Sequence, residues 1–252
     1  LLLASGSAAL NQVQEKSLDA QMHRTQKRPL PSGKLQTSEA LAFALSLLLL
    51  GLIVLYQVRA ATFWLGVSAV VSYNGLYTLW WKPNWAHAAI PGAIPGALPI
   101  LMGFTAGNAS LPWYTPSGIY LFLILFFWQM PHFWSLALKF KEDYKRGSVP
   151  TLPVEKGTGP ALSAIALWTF AYIGLVSLAP LFVETGIFFL TITSITALKI
   201  LWELFQYWRS ETSSTSEKPS RHWIRFFLWI NLSLILFLGA IALDYVWILE
   251  FV

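Results

Sequence analysis

At 252 residues, 56 % apolar and only 12 % charged, the chain has about half the charge of an ordinary soluble domain, which excludes a water-facing globular surface. Thirteen Trp, nine Tyr and seventeen Phe suit a protein that meets lipid tails and the polar interface, and the absence of Cys excludes disulfides, thiolate metal sites and a Cys nucleophile. A net charge of +5 raises the question of a nucleic-acid partner, which the placement of the basic residues answers below.

In chain order, residues 1–10 are apolar but too few to span a bilayer. No basic region precedes them and a polar motif follows at once, so they read as the tail of a helix, not as a signal peptide. About 20 residues cross a hydrocarbon core, and the charge-free runs at 40–58, 60–81, 157–183 and 226–243 each hold one span. The run 83–138 is too long for one. Asn, Pro and Gly within 108–118 divide it into helices over about 88–107 and 119–139, the second of which Pro131 should kink. A weaker span covers 185–207, where Lys199 and Glu203 can pair at i,i+4. The expectation is an all-α, multi-span transmembrane helix bundle with seven complete crossings, forming one integral membrane domain over 1–252.

Counting crossings puts the polar segments 11–39, 139–157 and 209–225 on one side of the bilayer. They hold fourteen of the seventeen Lys and Arg residues. By the positive-inside rule that side is cytoplasmic or its organellar equivalent. The basic balance is then topology, and no nucleic acid is expected as a partner.

In the first polar segment Asn11, Glu15 and Asp19 are spaced by four, which gathers their oxygens within about an 80° arc of a helix. Such a set suits Mg²⁺, which takes a few oxygens and bridges them to phosphates. Arg24, Lys27 and Arg28 follow closely and can grip a phosphate chain. The competing reading is a solvated basic connector held at the membrane surface. In the second segment, Glu142 and Asp143 are adjacent and point about 100° apart on a helix, so only one of them can serve such an ion. His132, beside Pro131 in the helix leading there, can be an iron ligand, a proton carrier or a hydrogen-bonded core residue. Two carboxylate clusters facing one compartment, with cations around them and an apolar cavity beneath, are what ionisation of a lipid diphosphate needs.

The run Asn11, Glu15, Asp19, Met22, Arg24, Thr25, Arg28, Pro29, Leu30 and Gly33 resembles the first aspartate-rich motif of the UbiA-type intramembrane prenyltransferases. The segment 131–138 with Glu142-Asp143-Tyr144, the Pro150–Val154 stretch and the Ala93–Pro99 stretch is similar to the heme-farnesylating branch of that family. The resemblance implies nine helices around a central cavity, with the metal motifs after the second and sixth. The predicted spans fit if the first helix and most of the second precede residue 1. It implies transfer of a farnesyl group from farnesyl diphosphate to a vinyl group of heme b, with Mg²⁺ as cofactor, inside the lipid bilayer of a bacterial-type or organellar inner membrane. Downstream heme-modifying or oxidase-assembly proteins are the partners it suggests. It assigns Asn11, Glu15, Asp19 and Asp143 to the metal, and Asp19, Asp143, Arg24 and Arg28 to the chemistry. Lys27, Lys141 and Tyr144 fall to the diphosphate end, and His132 and His87 to the heme side. Glu15 stands where many relatives have Asp, and Gly147 where the wider family has a second Asp.

Overall fold

The computed structural model describes residues 1–107, 112–213 and 221–251, and every element among them is helical. The helices are α1 Leu2–Gln14, α2 Lys16–Gln21, α3 Thr37–Val58, α4 Ala60–Val70, α5 Lys82–Asn84, α6 Ala89–Gly107, α7 Pro116–Lys139, α8 Lys141–Arg146, α9 Leu152–Lys156, α10 Thr158–Ser177, α11 Ile187–Ser213 and α12 Arg221–Phe251. Six of these, α3, α6, α7, α10, α11 and α12, are long and apolar enough to cross a membrane. The expected divider at 108–111 and the stretch 214–220 of the third basic segment lie outside the described residues.

The seventh expected span, 60–81, is helical from end to end but not uniformly. It winds as α4 to Val70, and Val71–Trp81 continues at π pitch. In lipid every backbone polar group needs an internal partner, and either winding supplies one. Hydropathy fixes that a helix forms there without fixing its pitch. Other boundaries shift for local reasons: α12 starts at Arg221 and runs on past Asp244, and α10 ends at Ser177 before a short tight turn at Ala179–Leu181. Helix α7 continues through Pro131 as one element.

By internal packing the chain forms two units. The first comprises residues 1–122 and 140–155. In it α1 lies against α3 with almost no side chain between them: a Cβ on Gly6 would stand 2.7 Å from Leu48 N, and one on Gly51 would stand 2.6 Å from Leu3 N. Small residues at such seams give dispersion contacts that lipid cannot, which is how apolar helices associate in a bilayer. Leu65 of α4 packs with Leu98 and Leu101 of α6. The outward faces stay apolar, as Phe43, Leu45, Leu49 and Ile53 on α3 show. Gly92 of α6 leaves room for an aromatic ring, since a Cβ there would stand 2.6 Å from Cδ2 of Tyr77. A Gly92→Ala variant must move that ring or the helix, at a cost of about 1–3 kcal/mol. Thermal unfolding in detergent should show a lowered midpoint, and an unchanged one would mean the ring has a free alternative position.

The second unit comprises residues 123–139 and 156–252. Tyr172 of α10 and Ser233 of α12 share a buried hydrogen bond of 3.1 Å. Rings interlock α11 with α12 through Phe189 and Phe237, edge to face at 5.6 Å, and through Tyr207 and Phe226, stacked at 5.6 Å. The buried carboxylate of Asp244 accepts the backbone N–H groups of Gly186 at 2.6 Å, Phe188 at 3.1 Å and Phe189 at 2.8 Å, which caps the start of α11 from the neighbouring helix.

Candidate active site

The polar residues of the first unit gather around the junction of α1 and α2. The chain does not continue as one helix there: Glu15 adopts φ −99° and ψ 14°, so Asn11 lies on α1 and Asp19 on α2, with Glu15 at the break between them, instead of on the single helix expected. Backbone bonds Glu15 N to Asn11 O (2.9 Å) and Asp19 N to Glu15 O (2.7 Å) nevertheless preserve the four-residue step between them.

The π-wound segment fixes this junction. Side chains of α1 reach it directly: Gln14 Nε2 donates to Asn74 O at 2.9 Å, Asn74 Nδ2 donates to Ser7 O at 3.0 Å and to Gln14 Oε1 at 3.1 Å, and the Ser7 hydroxyl donates to Asn74 Oδ1. Asn11 Nδ2 donates to Thr78 Oγ1 at 3.1 Å, whose hydroxyl donates on to Tyr73 O, five residues back, at 2.9 Å. Stretches of π winding recur at functional sites, and here one aligns a polar seam along α1.

Each of the three buried carboxylates described in the first unit has a counter-charge or donor. Lys82 Nζ lies 2.5 and 2.6 Å from the two Glu15 oxygens. Arg28 Nη1 donates to Asp19 Oδ2 at 2.8 Å, and Thr25 Oγ1 donates to Asp19 O at 2.8 Å, folding the first polar segment back over α2. Asp143 Oδ1 accepts the His23 N–H at 3.2 Å, with Arg146 Nη1 at 4.0 Å. Buried carboxylates stripped of such partners would be heavily destabilising. The second polar segment thereby docks on the first, and Gly147 permits the close approach: a Cβ on it would meet Met22 Cε at 2.6 Å and Leu18 Cδ1 at 2.7 Å.

The remaining expected residues are placed as follows. Of the adjacent acids, Asp143 is buried and Glu142 exposed, so Asp143 is the one that lies with Glu15 and Asp19 among the buried carboxylates of this unit. The Arg24 guanidinium lies over the Phe140 ring at 5.1 Å. Burial pushes the Tyr144 hydroxyl pKa up, against the opposing pull of Arg24, so this phenol stays protonated at neutral pH. Lys27 is exposed and Lys141 half-buried. His87 is half-buried, its ring 5.9 Å from Trp85. His132 belongs to the second unit, where its ring is sandwiched by Trp128 at 5.0 Å and Phe227 at 4.9 Å, with Nδ1 buried and without a hydrogen-bond partner among the described residues.

Lys82 carries no signal in the sequence that would single it out. Its partner lies 67 residues away, so no local spacing reveals the pair. Tyr77 is another such residue, its ring stacked on Tyr73 at 5.8 Å.

Among the described residues no three acids or histidines converge as a ready-made metal cage. The donor chemistry still suits Mg²⁺ arriving with a phosphate. Oδ1 of Asp19, Oδ2 of Asp143 and Oδ1 of Asn11 accept no hydrogen bond among the described residues, leaving hard oxygens unused. Mg²⁺ is commonly held by one or two carboxylates, with substrate phosphates and water completing its octahedron.

A family model described as the UbiA prenyltransferase family matches residues 1–231. The protoheme IX farnesyltransferase of Bdellovibrio bacteriovorus is 42 % identical over 242 residues, 96 % of this chain and 80 % of that protein. That of Azoarcus sp. is 41 % identical over 71 % of this chain and 58 % of its own length. That of Methylibium petroleiphilum is 34 % identical over 97 % of this chain and 76 % of its own. Among solved structures, a digeranylgeranylglyceryl phosphate synthase superposes with a TM-score of 0.74 at 18 % identity, covering 96 % of this chain and 81 % of that one. A UbiA homologue from Archaeoglobus fulgidus, bound to GPP and Mg²⁺, superposes with a TM-score of 0.65 at 18 % identity over 96 % of this chain and 84 % of that one.

Proposed function

Because the chain belongs to the UbiA prenyltransferase family, we propose that its first unit binds farnesyl diphosphate by the head and delivers the farnesyl group to a vinyl carbon of heme b, giving heme O. The protein is a multi-pass integral membrane prenyltransferase. The observation that carries the reading is the pairing of Glu15 with Lys82 and of Asp19 with Arg28, beside Asp143. These are acids and bases that hold each other in the free protein and have the chemistry to share a metal–diphosphate between them. Asn11, Glu15, Asp19 and Asp143 would hold Mg²⁺, which when bound supplies positive charge to the departing diphosphate.

The chain's own groups do the rest. Arg28, Lys82 and Arg24 take phosphate oxygens, with Lys27 and Lys141 at the rim. The C1–O bond of the prenyl diphosphate breaks, the allylic cation is attacked by the vinyl carbon, and water adds to the resulting cation with loss of a proton. The half-buried rings of Tyr73 and Tyr77, stacked at 5.8 Å, offer faces that favour a passing cation. The head-group site lies on the basic side, which we assign to the cytoplasm of a bacterial-type cell or its organellar equivalent. Residues 1–252 act as one catalytic domain in this reading.

Two expectations test it. Arg28→Ala should weaken binding of farnesyl diphosphate roughly tenfold, the worth of a charge-assisted hydrogen bond; titration giving an unchanged affinity would take Arg28 out of the phosphate site. His132→Ala should change the absorbance spectrum and affinity of bound heme, and identical titrations would leave His132 as a packing residue between α7 and α12. The deciding experiment is mass spectrometry of products from membranes given farnesyl diphosphate, Mg²⁺ and both heme b and an aromatic acid. Farnesylated heme alone is expected. Prenylation of the aromatic acid alone would move the chain to another acceptor class within the family.

A further inference from the structure

We infer that Lys199 and Arg225, outside the prenyl site, form a docking point for the phosphate of an anionic phospholipid on the lipid-facing side of α11 and α12. The two cations meet on one atom. Lys199 Nζ lies 2.6 Å and Arg225 Nη2 2.8 Å from Oε1 of Glu203. Glu203 is fully buried and its Oε2 has no hydrogen-bond partner among the described residues. One carboxylate thus faces two full positive charges, leaving a net charge of +1 between two helices that read as membrane spans.

The cations are not sealed inside. Their side chains are 31 % and 53 % exposed, while the carboxylate that joins them is 0 % exposed. The surface around them is the one that meets lipid: Leu198 and Trp202 on α11, and Ile224 and Leu228 on α12, are all exposed. Lys199 Nζ also lies 5.5 Å from the centre of the Trp229 ring. In water the excess charge would be solvated. Against acyl chains it is costly unless an anion approaches, and each of the two head groups keeps N–H donors beyond the one Glu203 uses. A phosphodiester brings the missing charge and the acceptor oxygens together, and its tails can lie along the apolar side chains named above. Basic sites between membrane helices recruit anionic lipid in this way. A soluble phosphate has the same head chemistry but gains nothing from those side chains.

The test uses the full-length protein in phosphatidylcholine nanodiscs with and without phosphatidylglycerol, followed by native mass spectrometry of retained lipid. The parent should retain phosphatidylglycerol in preference to phosphatidylcholine, and excess inorganic phosphate should not displace it. Each of Lys199→Gln and Arg225→Gln should weaken retention about fivefold. Glu203→Gln, which keeps an acceptor oxygen but removes the internal counter-charge, should strengthen it. Equal retention of the two lipids by the parent would overturn the site, as would undiminished retention in the glutamine variants. Displacement by inorganic phosphate would overturn the lipid as its occupant. Should the cation variants fail to fold, Glu203→Gln decides alone: retention no stronger than the parent's rejects the proposal.

Discussion

Asp19→Ala is expected to lower turnover by roughly 10²- to 10³-fold, the scale of losing one preorganised electrostatic group at a site of developing charge. Asp19 is the most buried of the three carboxylates, at 3 % exposure, and it holds Arg28 at 2.8 Å while Oδ1 remains unused. Alanine removes both the proposed metal donor and the partner of the Arg28 guanidinium proposed to take phosphate. Asp19→Asn keeps the size and one acceptor oxygen but not the charge, so it should fall nearly as far if charge is what the site requires. Steady-state rates at limiting Mg²⁺, with helicity checked by circular dichroism, measure both variants. A near-parental rate for the alanine variant would remove Asp19 from the machinery and with it the reading of the first polar segment as a diphosphate site.

Asp244→Ala should be the most destabilising of the substitutions considered, on the order of 3 kcal/mol or more. Its carboxylate serves three backbone N–H groups at the beginning of α11, and alanine leaves all three without an acceptor where water is scarce. Gly186 makes the contact close: a Cβ there would stand 2.8 Å from Asp244 Oδ1. Asp244→Asn, retaining one acceptor oxygen, should fall between parent and alanine. Unfolding in detergent followed by tryptophan fluorescence gives the order of the three proteins. Equal midpoints for parent and alanine would mean that the helix start finds other acceptors.

The sequence already disclosed the membrane architecture because the bilayer is a demanding solvent: a charge-free run long enough to cross it has few alternatives to a helix. It also disclosed the acids of the first polar segment, whose four-residue step survives the break at Glu15. Three things were hidden. Lys82 pairs with Glu15 across 67 residues, and nothing in its own neighbourhood announces that. The change of pitch at Val71 leaves no mark in hydropathy, because the Asn74 and Thr78 side chains that accompany it find their partners on α1. Asp244 looked like the end of the last span because a lone carboxylate ordinarily stops one; capped onto α11, it is tolerated and the helix runs on. In each case the missing information was a tertiary partner.

The division of the chain into two units has a consequence for how the protein is made. Neither unit is one continuous stretch: the first needs residues 140–155, which are synthesised after seventeen residues belonging to the second. Asp143 reaches His23 across 120 residues of chain, and closing so long a loop is slow compared with local helix formation. A chain that stops before residue 140 carries the first acidic segment without the second segment that docks on it. The proposed head-group site is therefore completed late, and neither half of the chain carries it alone.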